Sequence, residues 1–505
     1  MQHIDGRYLA RPAAGDGEAA AGDHLQLGWA FWLPGHQVEQ GAAPWADPYT
    51  FRPEADASPN LQGWLLGIPF WPLRALLGNI WAYNLIVLLS IVAAGALTCW
   101  WLRALGLVRS AALVGGLVFA LAPYRLGQST GHLLGLIAFL LPVVLLALER
   151  RRFVWAAVAL TAIPLCGQIH LAMGAVALAL GYTWARVARA DWWKAAAGAV
   201  VAAVAAVTVQ QVVVAGSIAS GGRSFGQVRH YSAELSDLFT RGVGVGIEEY
   251  VFLGWLTPIL ALVGLWAIRR RRGLALCLGL AAVVPCILAL GASLPLYEPL
   301  WKALAPLRFA RVPERLMPIA CLAIAALVAH AVALLLNQQV LNQHKLNASG
   351  PAVAAGVIGV LLILLAADVR VQVFGAVAPD RSNMAYAAIR GDGRMLELPV
   401  FRPDIHFGSV TMGYARQSPR ERPLGYSTTA TPAADRLARQ LRPLSCGRDA
   451  VPAELGVRFV VVHRGLYEQS GFFADGCADR AEAALRRAGW RLLARDGSIS
   501  SWQRP

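Results

Sequence analysis

The sequence predicts a polytopic α-helical membrane protein that ends in a small α/β domain. Three observations predict it. Of 505 residues, 57% are hydrophobic and only 15% charged, where soluble domains carry about 25% charged residues. Apolar runs recur between residues 79 and 369, divided by short basic loops, as repeated membrane crossings require. Beyond residue 379 the chain changes to short strand-like and amphipathic segments. The formal charge of +15 is a nucleic-acid signal in a soluble chain. Here the cations sit in loops between apolar runs, so nucleic acid is excluded as a partner.

Ten apolar segments follow in order: 79–101, 110–124, 133–148, 153–165, 171–186, 195–215, 251–268, 274–292, 316–336 and 351–369. A full span needs roughly 20 residues. The second to fifth are short, and read either as spans or as paired re-entrant half-helices shielded by protein. Both come in pairs, so the remaining topology is unchanged.

Orientation follows from Lys and Arg. Loops 102–109, 149–152, 186–194, 269–273 and 337–350 hold 13 basic residues in 40. The alternate loops 125–132, 166–170, 216–250 and 293–315 hold 8 in 71. The first set is therefore expected in the cytoplasm. Residues 1–78 form a first extracytoplasmic loop, 79–369 the membrane domain, and 370–505 an extracytoplasmic α/β domain. Nothing in 1–78 is apolar enough over a sufficient length to carry that loop across. An apolar helix upstream of Met1 is expected.

The first loop is rich in aromatic residues and proline. Trp29, Trp32, Trp45, Trp64 and Trp71 suit a layer at the membrane–water interface, and residues 60–77 read as an amphipathic helix lying on the outer leaflet. In loop 216–250, "GVGVG" is read as flexible loop, because no strand precedes it and no helix follows it. Loop 293–315 carries Lys302, Arg308, Arg311 and Arg315, half the basic residues of the outward loops. Guanidinium forks at the mouth of a span suit a lipid phosphate or diphosphate. The plainer alternative is headgroup snorkelling or pairing with Glu298 and Glu314.

In the tail, "GRMLELPVF" and "LGVRFVVVHRG" read as buried strands. "ATPAADRLARQL" and "DGCADRAEAALRRAG" read as helices, the second ending at Gly489. Asp496-Gly497 between alternating runs signals a hairpin. Cys446 and Cys477 pair or stay as separate thiols; the sequence leaves both open. The other five cysteines lie in apolar runs as small buried residues. No zinc spacing occurs.

"GDHLQLGWAFW" resembles the start of the first outer loop in polyprenyl-phosphate-sugar-dependent integral membrane glycosyltransferases, the GT-C superfamily. "GNIWAYNLIVLLSIVAAGALTCWWLRALG" and "FALAPYRLGQSTGHLLGLIAFLLPVVLLALERRR" are similar to later helices of a largely uncharacterised bacterial branch. "VRHYSAELSDLF", "EEYVFLG" and "LRFARVPERLMPIACLAIAAL" extend the likeness over most of the chain. The resemblance implies a GT-C-like helical bundle in the bacterial cytoplasmic membrane. Its implied activity is transfer of a sugar from a polyprenyl-phosphate-linked donor to a glycan, lipid or protein acceptor of the cell envelope. An acidic residue in the first outer loop serves such enzymes as general base, and Asp23 matches it. Asp23 equally fits a helix cap. Arg308, Arg311 and Arg315 are the expected donor-phosphate ligands, with His132, His230, Tyr231 and Glu234 as weaker substrate contacts and His170 weaker still. No cofactor is assigned; Glu248-Glu249 is an adjacent acidic pair, and dependence on a divalent metal stays open. Membrane lipids are the further partner. The alternatives are a flippase for lipid-linked oligosaccharides or a non-catalytic envelope-assembly protein. A flippase would carry charges inside its spans and inverted repeats, and neither is evident.

Overall fold

The computed structural model describes residues 7–11, 18–54, 59–220, 224–243, 247–308, 312–343, 350–374 and 382–505. Arg311 and the centre of "GVGVG" lie outside the described residues. The chain divides into two compact units. The first gathers Met1–Ile86, Gln210–Gly221 and Phe374–Pro505; the second gathers Val87–Val209 and Gly222–Val373.

Each of the ten apolar segments overlaps a helix. Among the described residues four helices are long and apolar enough to cross a membrane: Trp64–Ala104, Arg189–Val214, Arg272–Ala289 and Pro313–Asn337. Shorter apolar helices include Arg109–Ala120, Leu133–Glu149, Phe153–Leu165 and Leu256–Ala267. Trp64–Ala104 is broken at Gly78, whose φ of 79° no side-chain-bearing residue adopts without strain. The break falls between the expected interfacial helix and the expected first span.

In the second unit the helix Met317–Gln343 is the hub, packed against Leu256–Ala267, Arg272–Ala289 and Arg109–Ala120. Its residues Ile319 to Val332 are almost all buried. Small residues permit the contacts. A Cβ on Gly264 would collide with the Leu327 carbonyl, and one on Gly115 would reach 3.0 Å from the Ala325 carbonyl. At the far end of Gly350–Val369, Asp368 accepts from the backbone N–H of Trp255, Leu256 and Thr257 at 2.7, 2.9 and 3.1 Å. It thereby satisfies the orphan donors at the start of Leu256–Ala267.

The first unit holds the sheet. β1 (Arg394–Leu398) and β2 (Val457–His463) are parallel; β4 (Ile499–Gln503) is antiparallel to both β2 and β3 (Arg491–Asp496). The order is β1-β2-β4-β3. A nearly continuous apolar run rich in β-branched valine explains β2, which is buried on both faces, and Gly497 at φ 57° turns the β3–β4 hairpin. Helices Pro432–Leu441 and Cys477–Arg487 cover the sheet with Leu437, Leu441, Ala481 and Leu485 against Leu396, Val460, Val462 and Trp502. The second helix gives way to Gly489 at φ 79°, as its sequence indicates. Cys446 and Cys477 are disulfide-bonded, which resolves the alternative left by the sequence.

The N-terminal helix Asp23–Glu39 also belongs to this unit. It corrects one expectation. Trp29 and Trp32 are 2% and 5% exposed, so they are core residues and not interfacial ones. Their rings pack together at 4.9 Å, and Trp32 stacks on His36 at 4.1 Å. Trp45 and Trp71 remain exposed.

Candidate active site

Asp23 is the first residue of its helix, and the cap position belongs to Gly22. The capping reading is therefore corrected: Asp23 is a first-turn acid, favoured there by the helix dipole. Gly22 donates its N–H to Ser409 Oγ at 3.2 Å. The Asp23 side chain is half-buried, and Tyr426 donates its hydroxyl to Asp23 Oδ1 at 3.0 Å.

The next residue, His24, is 1% exposed, and among the described residues neither ring nitrogen has a hydrogen-bond partner. Burial lowers its pKa to about 4; the Asp23 charge works against the shift and Arg416 adds to it. The imidazole is thus neutral near pH 7. Its ring lies 5.5 Å from that of Tyr8. Arg416 donates Nε to the Gly413 carbonyl at 3.2 Å and Nη2 to the Tyr8 hydroxyl at 3.0 Å. One carboxylate, one neutral imidazole and one guanidinium therefore meet around the start of a helix.

Behind this group runs a buried polar chain. Glu18 accepts from the Gly465 N–H at 2.8 Å and the Ser498 hydroxyl at 2.7 Å, and lies 3.0 Å from His463 Nδ1. His463 Nε2 is 2.8 Å from the Tyr386 hydroxyl, which donates to Glu397 at 3.3 Å. Arg422 closes the chain on Glu397 at 2.6 Å. Burial pushes the Glu397 carboxyl up, against the pull of Arg422, and pushes the Tyr386 phenol well up.

The remaining sequence-predicted residues belong to the second unit. Arg308 is exposed, and its guanidinium turns back on the carbonyls of Trp301 and Lys302. Arg315 is half-buried, with Nε 3.9 Å from Glu314, and Lys302 pairs with Glu298 at 2.8 Å. The pairing with Glu298 and Glu314 that the sequence offered as the plainer alternative is thus present for Lys302 and Arg315. His132 lies 2.6 Å from Gln128 Oε1 through Nδ1. His230 and Tyr231 meet edge to face at 4.7 Å, and Glu234 donates its backbone N–H to the Asp237 carboxylate at 2.7 Å.

The loops that carry these residues are stitched together. Ala292 donates its N–H to Ser232 Oγ at 2.8 Å, and Ser293 Oγ donates to the Ala233 carbonyl at 2.9 Å. Phe225 packs on Trp301 at 5.4 Å, and the Tyr124 hydroxyl donates to the Glu314 carbonyl at 2.9 Å. The second unit therefore gathers His230, Tyr231, Lys302 and Arg315 into one set of joined loops, while Asp23 sits in the first unit. Glu248 and Glu249 lie in a turn ahead of Leu256–Ala267. Among the described residues no three His, Cys, Asp or Glu side chains cluster as metal ligands would.

Sequence reasoning missed His24, Tyr426 and Arg416. His24 stands beside Asp23 in "GDH" and was within reach of the same argument. Tyr426 and Arg416 lie about four hundred residues away, and no spacing connects them to Asp23.

No family model and no curated protein matches the chain. Among solved structures, the chain resembles the arabinofuranosyltransferase AftD from Mycobacteria, with a TM-score of 0.51 at 17% identity. The match covers 97% of this chain and 40% of that one. The oligosaccharyltransferase AglB from Archaeoglobus fulgidus matches with TM-score 0.49 and 12% identity over 97% and 71% of the two chains. ArnT from Cupriavidus metallidurans, bound to undecaprenyl phosphate, matches with 0.42 and 14% over 96% and 94%. The chain shares its fold with the arabinofuranosyltransferase AftD: a helical bundle with apolar helices of membrane-crossing length and a small C-terminal sheet domain.

Proposed function

We propose that the protein is a membrane glycosyltransferase. It takes a sugar from a polyprenyl-phosphate-linked donor and passes it to a cell-envelope acceptor on the outer face of the bacterial cytoplasmic membrane. Asp23 is the general base. The acceptor hydroxyl attacks the anomeric carbon of the donor, its proton passes to Asp23, and the anomeric C–O bond breaks. The polyprenyl phosphate leaves with the bonding electrons. Fixed cations stabilise that leaving charge, and Arg308, Arg311 and Arg315 are assigned to it. His132, His230, Tyr231 and Glu234 contact donor or acceptor.

The observation that carries this reading is the setting of Asp23. A half-buried carboxylate at a helix start, held by the Tyr426 hydroxyl and flanked by a neutral imidazole, is built to accept a proton from a hydroxyl. The GT-C fold supports the class of reaction. The disulfide between Cys446 and Cys477 and the Lys/Arg imbalance between alternate loops support an outer location for the sheet domain.

Proteoliposomes supplied with a panel of synthetic polyprenyl-phosphate pentoses and hexoses, together with alkyl glycoside acceptors, provide the test. Asp23→Asn should slow release of polyprenyl phosphate about 100-fold or more while the protein accumulates and inserts normally. A variant within two-fold of the native rate removes Asp23 as the base.

A further inference from the structure

In the first unit the chain from Glu18 to Gln26 is clasped along its length by C-terminal residues. The Glu18 carboxylate is seated by Gly465, Ser498 and His463. Ala19 donates its N–H to the Tyr414 hydroxyl at 3.1 Å, and Gly22 donates to Ser409. Tyr426 takes the last position twice. Its hydroxyl donates to Asp23 Oδ1, and its carbonyl accepts from Gln26 Nε2 at 3.3 Å. Residues 23 and 26 are three apart, so they share one helix face. A single C-terminal residue thus grips the face that presents Asp23.

We propose that the C-terminal α/β domain is part of the catalytic apparatus, with Tyr426 as the positioning residue for the Asp23 carboxylate. This rests on the reading of Asp23 as general base. A carboxylate on a free side chain turns broadly about its last torsion. A hydroxyl directed at one oxygen fixes the plane, and because it bonds the ionised form it keeps the group ionised at lower pH. Tyr426 is itself immobilised. It is 8% exposed. Its neighbour Gly425 lies so close to Thr50 and Phe51 that an added Cβ would come within 3.0 Å of each.

The test is Tyr426→Phe, which removes one oxygen and keeps the ring. Carbodiimide couples to protonated carboxyls, so the pH dependence of labelling at Asp23, read by peptide mass spectrometry on the full chain in nanodiscs, reports its ionisation without any substrate. The other groups around Asp23 and His24 are unchanged in the variant: His24 on the same helix, Arg416, and the phenols of Tyr8 and Tyr83. The expected result is a labelling midpoint at Asp23 raised by about half to one pH unit, with the midpoint at Asp435 unmoved. In the proteoliposome assay kcat should fall about 10-fold or more with donor KM within two-fold, and the acid limb of the rate profile should shift with the labelling.

An unmoved Asp23 midpoint overturns the positioning role, whatever Asp23→Asn does to transfer. A moved midpoint together with full transfer by Asp23→Asn upholds Tyr426 as the partner of Asp23 and removes the base assignment alone. Equal displacement of the Asp435 midpoint marks general unfolding and overturns the proposal.

Discussion

His24 shows what one buried ring does to the molecule's response to acid. Its pKa is about 4 in the folded chain, against roughly 6.5 when unfolded. Between those values the unfolded chain binds the extra proton. The contribution is therefore complete above pH 6.5 and is lost as pH falls toward 4, by about 3 kcal/mol. The apparent melting temperature in detergent should drop between pH 7 and 4.5, and His24→Leu should flatten that slope. An unchanged slope would assign the acid sensitivity to other groups. Asp23 stood out in the sequence through the family resemblance that "GDHLQLGWAFW" carries, whereas the acid-before-an-apolar-run signal pointed to a cap that Gly22 occupies. Tyr426 was not legible, because a hydroxyl four hundred residues away becomes relevant only after folding.

At the level of elements, local patterning carried far. β1, β2, the β3–β4 hairpin, the helices Pro432–Leu441 and Cys477–Arg487, and the break near residue 78 all follow from periodicity or from glycine where the backbone requires it. What stayed hidden is how elements close one another. Asp368 caps a helix more than a hundred residues earlier, and "AADVR" gives no sign of it. Asp368→Ala should cost about 1–2 kcal/mol, read as a lower melting temperature. Gly465 gives a second case. Its Cβ would come 2.9 Å from Glu18 Oε1, so Gly465→Ala should displace the carboxylate and cost about 1–3 kcal/mol. Gly465→Ala and Glu18→Ala combined should cost clearly less than their sum, and a fully additive pair would mean the two do not share one contact.

Across the whole molecule, the first unit collects three stretches that are far apart in sequence. The sequence treats residues 1–78 and 370–505 separately, because hydropathy and loop charge report each stretch alone. Their joint membership is written in pairings such as Glu18 with His463, whose residues carry no shared motif. The disulfide closes a 31-residue separation, and losing it should destabilise the domain by about 3–4 kcal/mol in the chain-entropy estimate. Cys446→Ser with Cys477→Ser should lower the melting temperature, and the native protein should resist maleimide at both positions until reduced. Maleimide labelling of both residues in native, unreduced protein would show that the bond does not form.

The clasp between residues 18–26 and residues 409–498 also sets an order of events during synthesis. A ribosome must translate past Ser498 before the seat of Glu18 is complete. Chains that stop ahead of Ser498 leave the Glu18 carboxylate without that hydroxyl. The seat of that carboxylate is therefore one of the last parts of the first unit to close, and shortening the chain ahead of Ser498 removes it.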